Sequence, residues 1–185
     1  MSSFKAAYRY ANALYEVATE RGEAELILND ILFIRKAADS NRELRRMFGS
    51  PAVKPYKKFQ VIKAIFENKI TPTTLALLGM LTSKHRETLT PEIVDAYRSI
   101  YNDKHNIVTA NITTATPIDD AMRTQIKAQI AGITKKEVIL EEKTDAKIIG
   151  GYIIRVGDKQ DDKSLKSKLT KLQRSFASNR VFTEN

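Results

Sequence analysis

Between residues 4 and 105 the apolar positions recur at three- and four-residue intervals, interrupted by Gly, Pro and Ser/Asn pairs, and they predict a succession of six short helices. The first runs from Phe4 to about Arg21, with Ser2 or Ser3 able to cap it and Gly22 to stop it. At about 100° per residue its apolar positions fall on two stripes. Phe4, Tyr8, Ala11, Tyr15 and Ala18 form one; Ala6, Tyr10, Ala13, Leu14 and Val17 form the other, more than a right angle away. An edge helix of a bundle needs only one stripe. The spare one is either covered by another element of the bundle or offered to a partner helix.

A second helix spans about Glu23 to Asp39 on Leu26, Ile27, Asp30, Ile31, Ile34 and Ala38, and Ser40-Asn41 ends it. Arg42 to Phe48 makes a third, short and basic, closed by Gly49-Ser50-Pro51. Pro55 suits the first turn of a fourth, which carries Phe59, Ile62, Ile65 and Phe66. Thr71-Pro72 opens a fifth, Thr73 to about Ser83, in which Leu75, Leu77, Leu78, Met80 and Leu81 leave almost no polar face; it is either central or covered. The sixth follows Thr90-Pro91, with Glu92 in its first turn, and runs through Ile93, Ala96, Tyr97, Ile100 and Tyr101 to about His105.

Then the period changes. Ile107 to Thr116 is rich in β-branched residues and alternates like a strand, and Asp119 or Asp120 can cap a helix carrying Met122, Ile126, Ile130 and Ile133. Two β-type runs, Val138-Ile139-Leu140 and Tyr152 to Val156, flank a polar segment and Gly150-Gly151, the pattern of strands with a tight backbone approach between them. Asp162 or Ser164 starts a last helix with Leu165, Leu169, Leu172 and Phe176 on one stripe. The predicted fold class is α+β and mainly helical: an N-terminal six-helix bundle, residues 1–105, followed by a small α/β domain, residues 106–185. That second domain, a strand, a helix, two strands and a helix in about 70 residues, is at the low end for independent stability.

Composition narrows the function. With 185 residues, 42% hydrophobic and 29% charged, the chain can bury a core. It has no Cys, which removes disulfides and thiolate chemistry, and no apolar run near the roughly 20 residues that cross a bilayer. The N-terminus has neither a signal-peptide apolar region nor an Arg- and Ser-rich transit segment, so the chain reads as soluble. The net charge of +9 suits nucleic acid, an acidic membrane or an acidic protein partner. It is spread evenly, with Lys+Arg 17 against Asp+Glu 12 up to His105 and 14 against 10 beyond, and no basic tail concentrates it.

Catalytic patterns are missing. His85 and His105 are the only histidines and do not share a helix face at metal-ligand spacing. Ser83 in Ser83-Lys84-His85-Arg86 lacks an acidic residue in triad-like context. Glu141 and Glu142 are adjacent, so a strand points them to opposite faces. No phosphate-binding lysine loop occurs. The last helix, with Lys163, Lys166, Lys168, Lys171 and Arg174 on or beside it, reads as a solvated basic face; gripping nucleic acid is the alternative, without interleaved aromatic residues to stack bases. From the residues alone the chain is a two-domain interaction protein, not an enzyme, with no cofactor or metal expected.

At Val138 to Asp158 the sequence resembles the delta subunit of bacterial F-type ATP synthases, the counterpart of the mitochondrial oligomycin-sensitivity-conferring protein. Val138, Leu140, Thr144, Asp145, Ile148, Gly150, Gly151, Tyr152, Ile154, Arg155 and Gly157 fill that family's C-terminal pattern in register, and Arg9-Tyr10-Ala11-Asn12-Ala13-Leu14-Tyr15 is similar to its opening helix. Two departures stand out. Lys163 replaces the Gly of a usual Asp-Gly-Ser before the last helix, which argues against a φ > 0 turn there. Ser83-Lys84-His85-Arg86 stands where Asn-Gly-Arg is more usual, leaving Arg86 as the match.

The resemblance implies a non-catalytic stator subunit, peripheral on the cytoplasmic face of the bacterial plasma membrane and joined to the membrane only through the complex. It implies that the N-terminal domain receives the N-terminal helix of an alpha subunit between helices one and five, and the C-terminal domain the C-terminus of the peripheral-stalk b subunits. Carried over by position, Tyr10, Ala13, Leu14 and Val17 with Ala76, Leu77, Met80 and Lys84 are the expected groove residues. The alternative function from another class is a basic nucleic-acid-binding protein.

Overall fold

The computed structural model describes residues 3–50 and 52–179, and the chain divides into two compact units, Met1–Lys104 and His105–Asn185. The first contains α1 (Ser3–Glu20), α2 (Ala24–Ser40), α3 (Arg42–Gly49), α4 (Pro55–Phe66), α5 (Pro72–Ser83), a 3-10 turn at Glu87–Leu89, and α6 (Thr90–Lys104). Ser2 and Pro51, read above as a cap and a stop, lie outside the described residues, and Ser3 is the first residue of α1.

Local chemistry sets these boundaries. Gly22, at φ 68°, closes α1: its N–H donates to Thr19 O (3.1 Å) and that of Glu23 to Ala18 O (2.8 Å), a Schellman turn. Asn41 ends α2 through its N–H on Ala37 O and caps α3, its side chain accepting from the N–H groups of Glu43 (2.9 Å) and Leu44 (3.1 Å). Asp30, the carboxylate on the apolar side of α2, accepts from Thr71 N–H (2.7 Å) and the Thr74 hydroxyl (2.9 Å), so it fixes the start of α5.

The buried line of α1 is Ala7, Ala11, Leu14 and Ala18, and it packs along α6. This corrects the two-stripe reading. Phe4 and Tyr8 are largely exposed, and Leu14 turns inward from the other stripe, because alanines at four-residue spacing let α6 approach where bulky rings would hold it off. Tyr97 on α6 is fully buried, meets Tyr15 edge-on at 5.8 Å and donates its hydroxyl to Ala24 O (3.0 Å); burial pushes its pKa up. A second cluster, with Ile34, Leu44, Phe48, Ile62, Phe66 and Leu78, joins α2 to α5. Leu26 and Ile65, counted in the helical periodicity, stay outside it at the surface.

The second unit contains β1 (Ile107–Thr114), α7 (Asp120–Thr134), β2 (Glu137–Thr144), β3 (Tyr152–Val156), β4 (Lys159–Asp162) and α8 (Leu165–Asn179). The sheet order is β2-β1-β3-β4, with β1 parallel to β2 and antiparallel to β3, and β3 and β4 forming a hairpin. Asp119 caps α7, its carboxylate accepting from Met122 N–H (2.7 Å). The helix supplies the crossover that a parallel pair needs and lays Ile126 and Ile130 against Ala110, Ile112, Val138 and Ile154.

Three expectations change here. The runs at Val138 and Tyr152 are not neighbours, since β1 lies between them. The tight approach at Gly150-Gly151 is instead to the chain entering α8: Leu165 N–H donates to Gly150 O (2.9 Å) and Lys163 N–H to Tyr152 O (2.9 Å). Gly151 sits at φ 76°, and a Cβ there would lie 2.4 Å from Lys163 O. The strand β4, Lys-Gln-Asp-Asp, gives no apolar alternation and was not predicted; charge is how edge strands resist further pairing. Lastly, the α8 stripe is open: Leu165, Leu169, Leu172 and Phe176 are 45 to 68% exposed. Ile133 of α7 is likewise exposed. Lys163 is not among the described residues with positive φ.

Candidate partner-binding groove

Helices α1 and α5 run antiparallel, tied side chain to side chain at two points. Arg21, just past the end of α1, donates to the Thr73 hydroxyl (2.9 Å) in the first turn of α5. Arg86, just past the end of α5, donates to the Tyr10 hydroxyl (3.0 Å), its guanidinium carbon 5.9 Å from the ring centre. Between these ties lies an open groove of about 910 Å³.

The spacing of its lining is helical on both sides. Positions 6, 9, 10, 13, 14 and 17 of α1 line it from one side, and 73, 76, 77 and 80 of α5 from the other. Leu14 and Leu77, 6% and 8% exposed, form the floor; Val17 and Met80, 37% and 47% exposed, stand as apolar walls open to solvent. Helix α5 is thus covered on the side of Leu78, Leu81, Thr74 and Thr82 and open along Ala76 and Met80.

Seven of the residues named from the sequence, Tyr10, Ala13, Leu14, Val17, Ala76, Leu77 and Met80, come together here. Lys84 does not line the groove. Four residues after Met80 it would share that face if the helix continued, but α5 stops at Ser83 and the backbone of Lys84 (φ −95°, ψ 6°) leaves the helical path. The next residue, His85, takes φ 55°, its N–H donating to Thr82 O (3.1 Å) while Arg86 N–H donates to Leu81 O (2.8 Å). This Schellman turn puts a histidine where glycine is usually found and swings Arg86 onto the groove rim. His85 therefore has a backbone role.

Periodicity of apolar residues missed the charged lining. Arg9, Arg21 and Arg86 all line the groove, and among the described residues no Asp or Glu does. The signals were present in the Arg9-Tyr10-Ala11 opening and in Arg86 at the end of helix five. Below the rim, Lys58 of α4 and Glu87 form a buried ion pair, and Lys58 Nζ also donates to Phe48 O (3.3 Å).

The hydroxyls that line the groove, those of Tyr10 and Thr73, are each engaged by an arginine, and among the described residues no group of three His, Asp or Glu is placed to hold a metal ion. Glu142 is engaged by Arg123 of α7 (2.5 and 3.2 Å), whose hydrogen bond holds its carboxyl below the usual range; Glu141 has contacts of its own. They are parts of the scaffold. No described helix is long and apolar enough to cross a membrane.

Comparison with known proteins agrees with this architecture. The sequence pattern of the family described as ATP synthase delta (OSCP) subunit matches residues 6–176. The ATP synthase subunit delta of Salinibacter ruber is 36% identical over 169 residues, 91% of this chain and 89% of that protein. That of Cytophaga hutchinsonii is 35% identical over 176 residues, 95% of this chain and 96% of that protein. A chain of the Toxoplasma gondii mitochondrial ATP synthase hexamer shares the fold, with a TM-score of 0.74 at 23% identity, covering 92% of this chain and 97% of its own. On this family match and these two bacterial relatives, the chain belongs to the ATP synthase delta (OSCP) subunit family.

Proposed function

We propose that the α1/α5 groove receives the N-terminal helix of an ATP synthase alpha subunit and that the second unit receives the C-terminal end of the peripheral-stalk b subunits. The chain itself is a non-catalytic stator subunit of the ATP synthase complex. In this reading it ties the catalytic head to the stalk so that rotor torque is resisted and proton flow is coupled to ATP synthesis. It acts on the cytoplasmic face of the bacterial plasma membrane, attached through the complex.

The observation that carries the head contact is the groove: two helices present an apolar floor and walls, left open between two polar ties. An amphipathic helix laid there is held by apolar anchors, with polar groups at the rim setting its register. The stalk contact is supported by α8, whose apolar stripe projects into solvent on a helix too short to be stable by itself. Nothing in the fold or the relatives supports nucleic-acid binding.

Ala13 is exposed in the groove, so Ala13→Asp puts a charge into the apolar contact without disturbing the core. Titration of the full-length variant with the N-terminal peptide of the alpha chain is expected to show no saturable binding, while its circular dichroism stays that of the parent. Unchanged affinity would sink the assignment.

A further inference from the structure

The groove is charged with one sign. Arg9 and Arg86 lie toward the end of α5, Arg21 toward its start, and among the described residues no carboxylate lines the space between. The two ends are not equivalent. Arg86 gives its hydrogen bond to a neutral phenol, that of Tyr10. Arg21 bonds the Thr73 hydroxyl, which in turn donates to Glu23 (3.1 Å), so a carboxylate already sits one hydrogen bond behind it. A ligand carboxylate therefore meets a stronger positive field at the Arg9–Arg86 end.

Spacing follows from the helix. Arg9 on α1 and Arg21, one residue past its end, are twelve positions apart, and Tyr10, which Arg86 holds, is eleven from Arg21. At 1.5 Å per residue the two charged ends are about 16–18 Å apart. On a ligand helix aligned with the groove, residues eleven positions apart are about three turns apart and return to nearly the same face.

We infer that the groove selects an amphipathic helix bearing carboxylates at both ends of its contact face, about eleven residues apart, and that Arg9 and Arg86 discriminate more strongly than Arg21. This rests on the groove being the alpha-chain site and adds what that helix must carry. A neutral or basic amphipathic helix of equal hydrophobicity fits the floor and brings the arginines no opposite charge.

The test uses the full chain and two fluorescent peptides: the N-terminal segment of the alpha chain from the same organism, and the same peptide with every Asp and Glu changed to Asn and Gln. Exposed pairs contribute modestly, so neutralising the peptide is expected to weaken binding about five- to twentyfold at low salt, the loss shrinking at about 0.5 M NaCl. Arg9→Gln/Arg86→Gln is expected to weaken the native peptide about fivefold or more, and Arg21→Gln about twofold. Each variant removes one polar tie of the groove, so both should stay folded with at most a small fall in melting temperature, and each should weaken the native peptide more than the neutral one. Equal affinity of the two peptides, or an Arg9→Gln/Arg86→Gln protein that loses both equally, overturns the charge selection while leaving the groove as the site. Absence of binding by either peptide to the parent protein overturns both readings.

Discussion

The buried pair Lys58–Glu87 makes a quantitative prediction about how the groove rim is held. Lys58 is 3% exposed and Glu87 5%; Glu87 immediately follows Arg86, and its Oε2 has no hydrogen-bond partner among the described residues. Lys58→Met keeps most of the volume and removes the only cation paired with that carboxylate among the described residues. An uncompensated charge buried in this way costs about 3–5 kcal/mol. Against a typical domain stability of about 5–15 kcal/mol this is a large fraction, and at about 4–8 °C per kcal/mol it lowers melting of the first unit by at least about 12 °C. Because the native pair is itself incompletely satisfied, Lys58→Met/Glu87→Leu should recover most of the loss, since apolar replacement of a buried pair is neutral or stabilising by about 1–4 kcal/mol. Urea denaturation with hydrogen exchange of the α4 and α5 amides measures both variants. A single variant losing under about 1 kcal/mol, or a double variant no better than the single, refutes the reasoning.

Three further outcomes follow from named contacts. His85→Gly relieves a left-handed histidine at the end of α5, a strain of about 1–2 kcal/mol partly offset by the freedom glycine gains in the unfolded chain, so the first unit should melt a few degrees higher in calorimetry; a lower melting point contradicts the turn. The Asp162 carboxyl is held below the ordinary range by the Ser167 hydroxyl (2.6 Å) and then by Ser164, so its contribution to seating α8 is complete above about pH 4 and is lost as pH falls through its lowered value. Protection of the amides in the first turn of α8, taken relative to the intrinsic exchange rate at each pH, should fall on acidification to about pH 2, and Asp162→Asn should flatten that dependence. Leu169→Asp/Leu172→Asp, at two exposed positions of α8, should abolish capture of a C-terminal fragment of the stalk b chain with no change in melting temperature.

Helix positions were legible in the sequence because each end is written in local chemistry: Gly22, Asn41, Pro55, Thr71-Pro72 and Asp119 act through their own backbone or first-turn neighbours. Strand neighbours were not. The order β2-β1-β3-β4 depends on a crossover through α7, and no residue at Val138 or Tyr152 encodes which strand lies between them. The buried face of α1 was misread for a related reason: small alanines carry little hydrophobicity, so a stripe built on them is weaker in the pattern than one built on Phe4 and Tyr8, yet it permits the closer helix contact. The apolar residues named through family position line one open space, while Lys84 stands off it because the helix ends one residue before it.

The residues that identify this family most clearly differ in physical kind from those that line its open groove. Gly151 admits almost no substitution, since a Cβ there collides with the backbone of Lys163 and Ser164 and φ is positive; the fold alone demands glycine, whatever the protein binds. Ala13, Ala76 and Met80 meet no such demand, being exposed or walled only on one side, and in the proposed reading what constrains them is the surface of another chain. A change at Gly151 should therefore be read first in stability, through loss of the seat that holds α8 to the sheet. A change at Ala13 should be read first in affinity, with the unit still folded. If Gly151→Ala kept the α8 amides protected while Ala13→Asp unfolded the first unit, the division between scaffold and binding surface drawn from burial would be reversed.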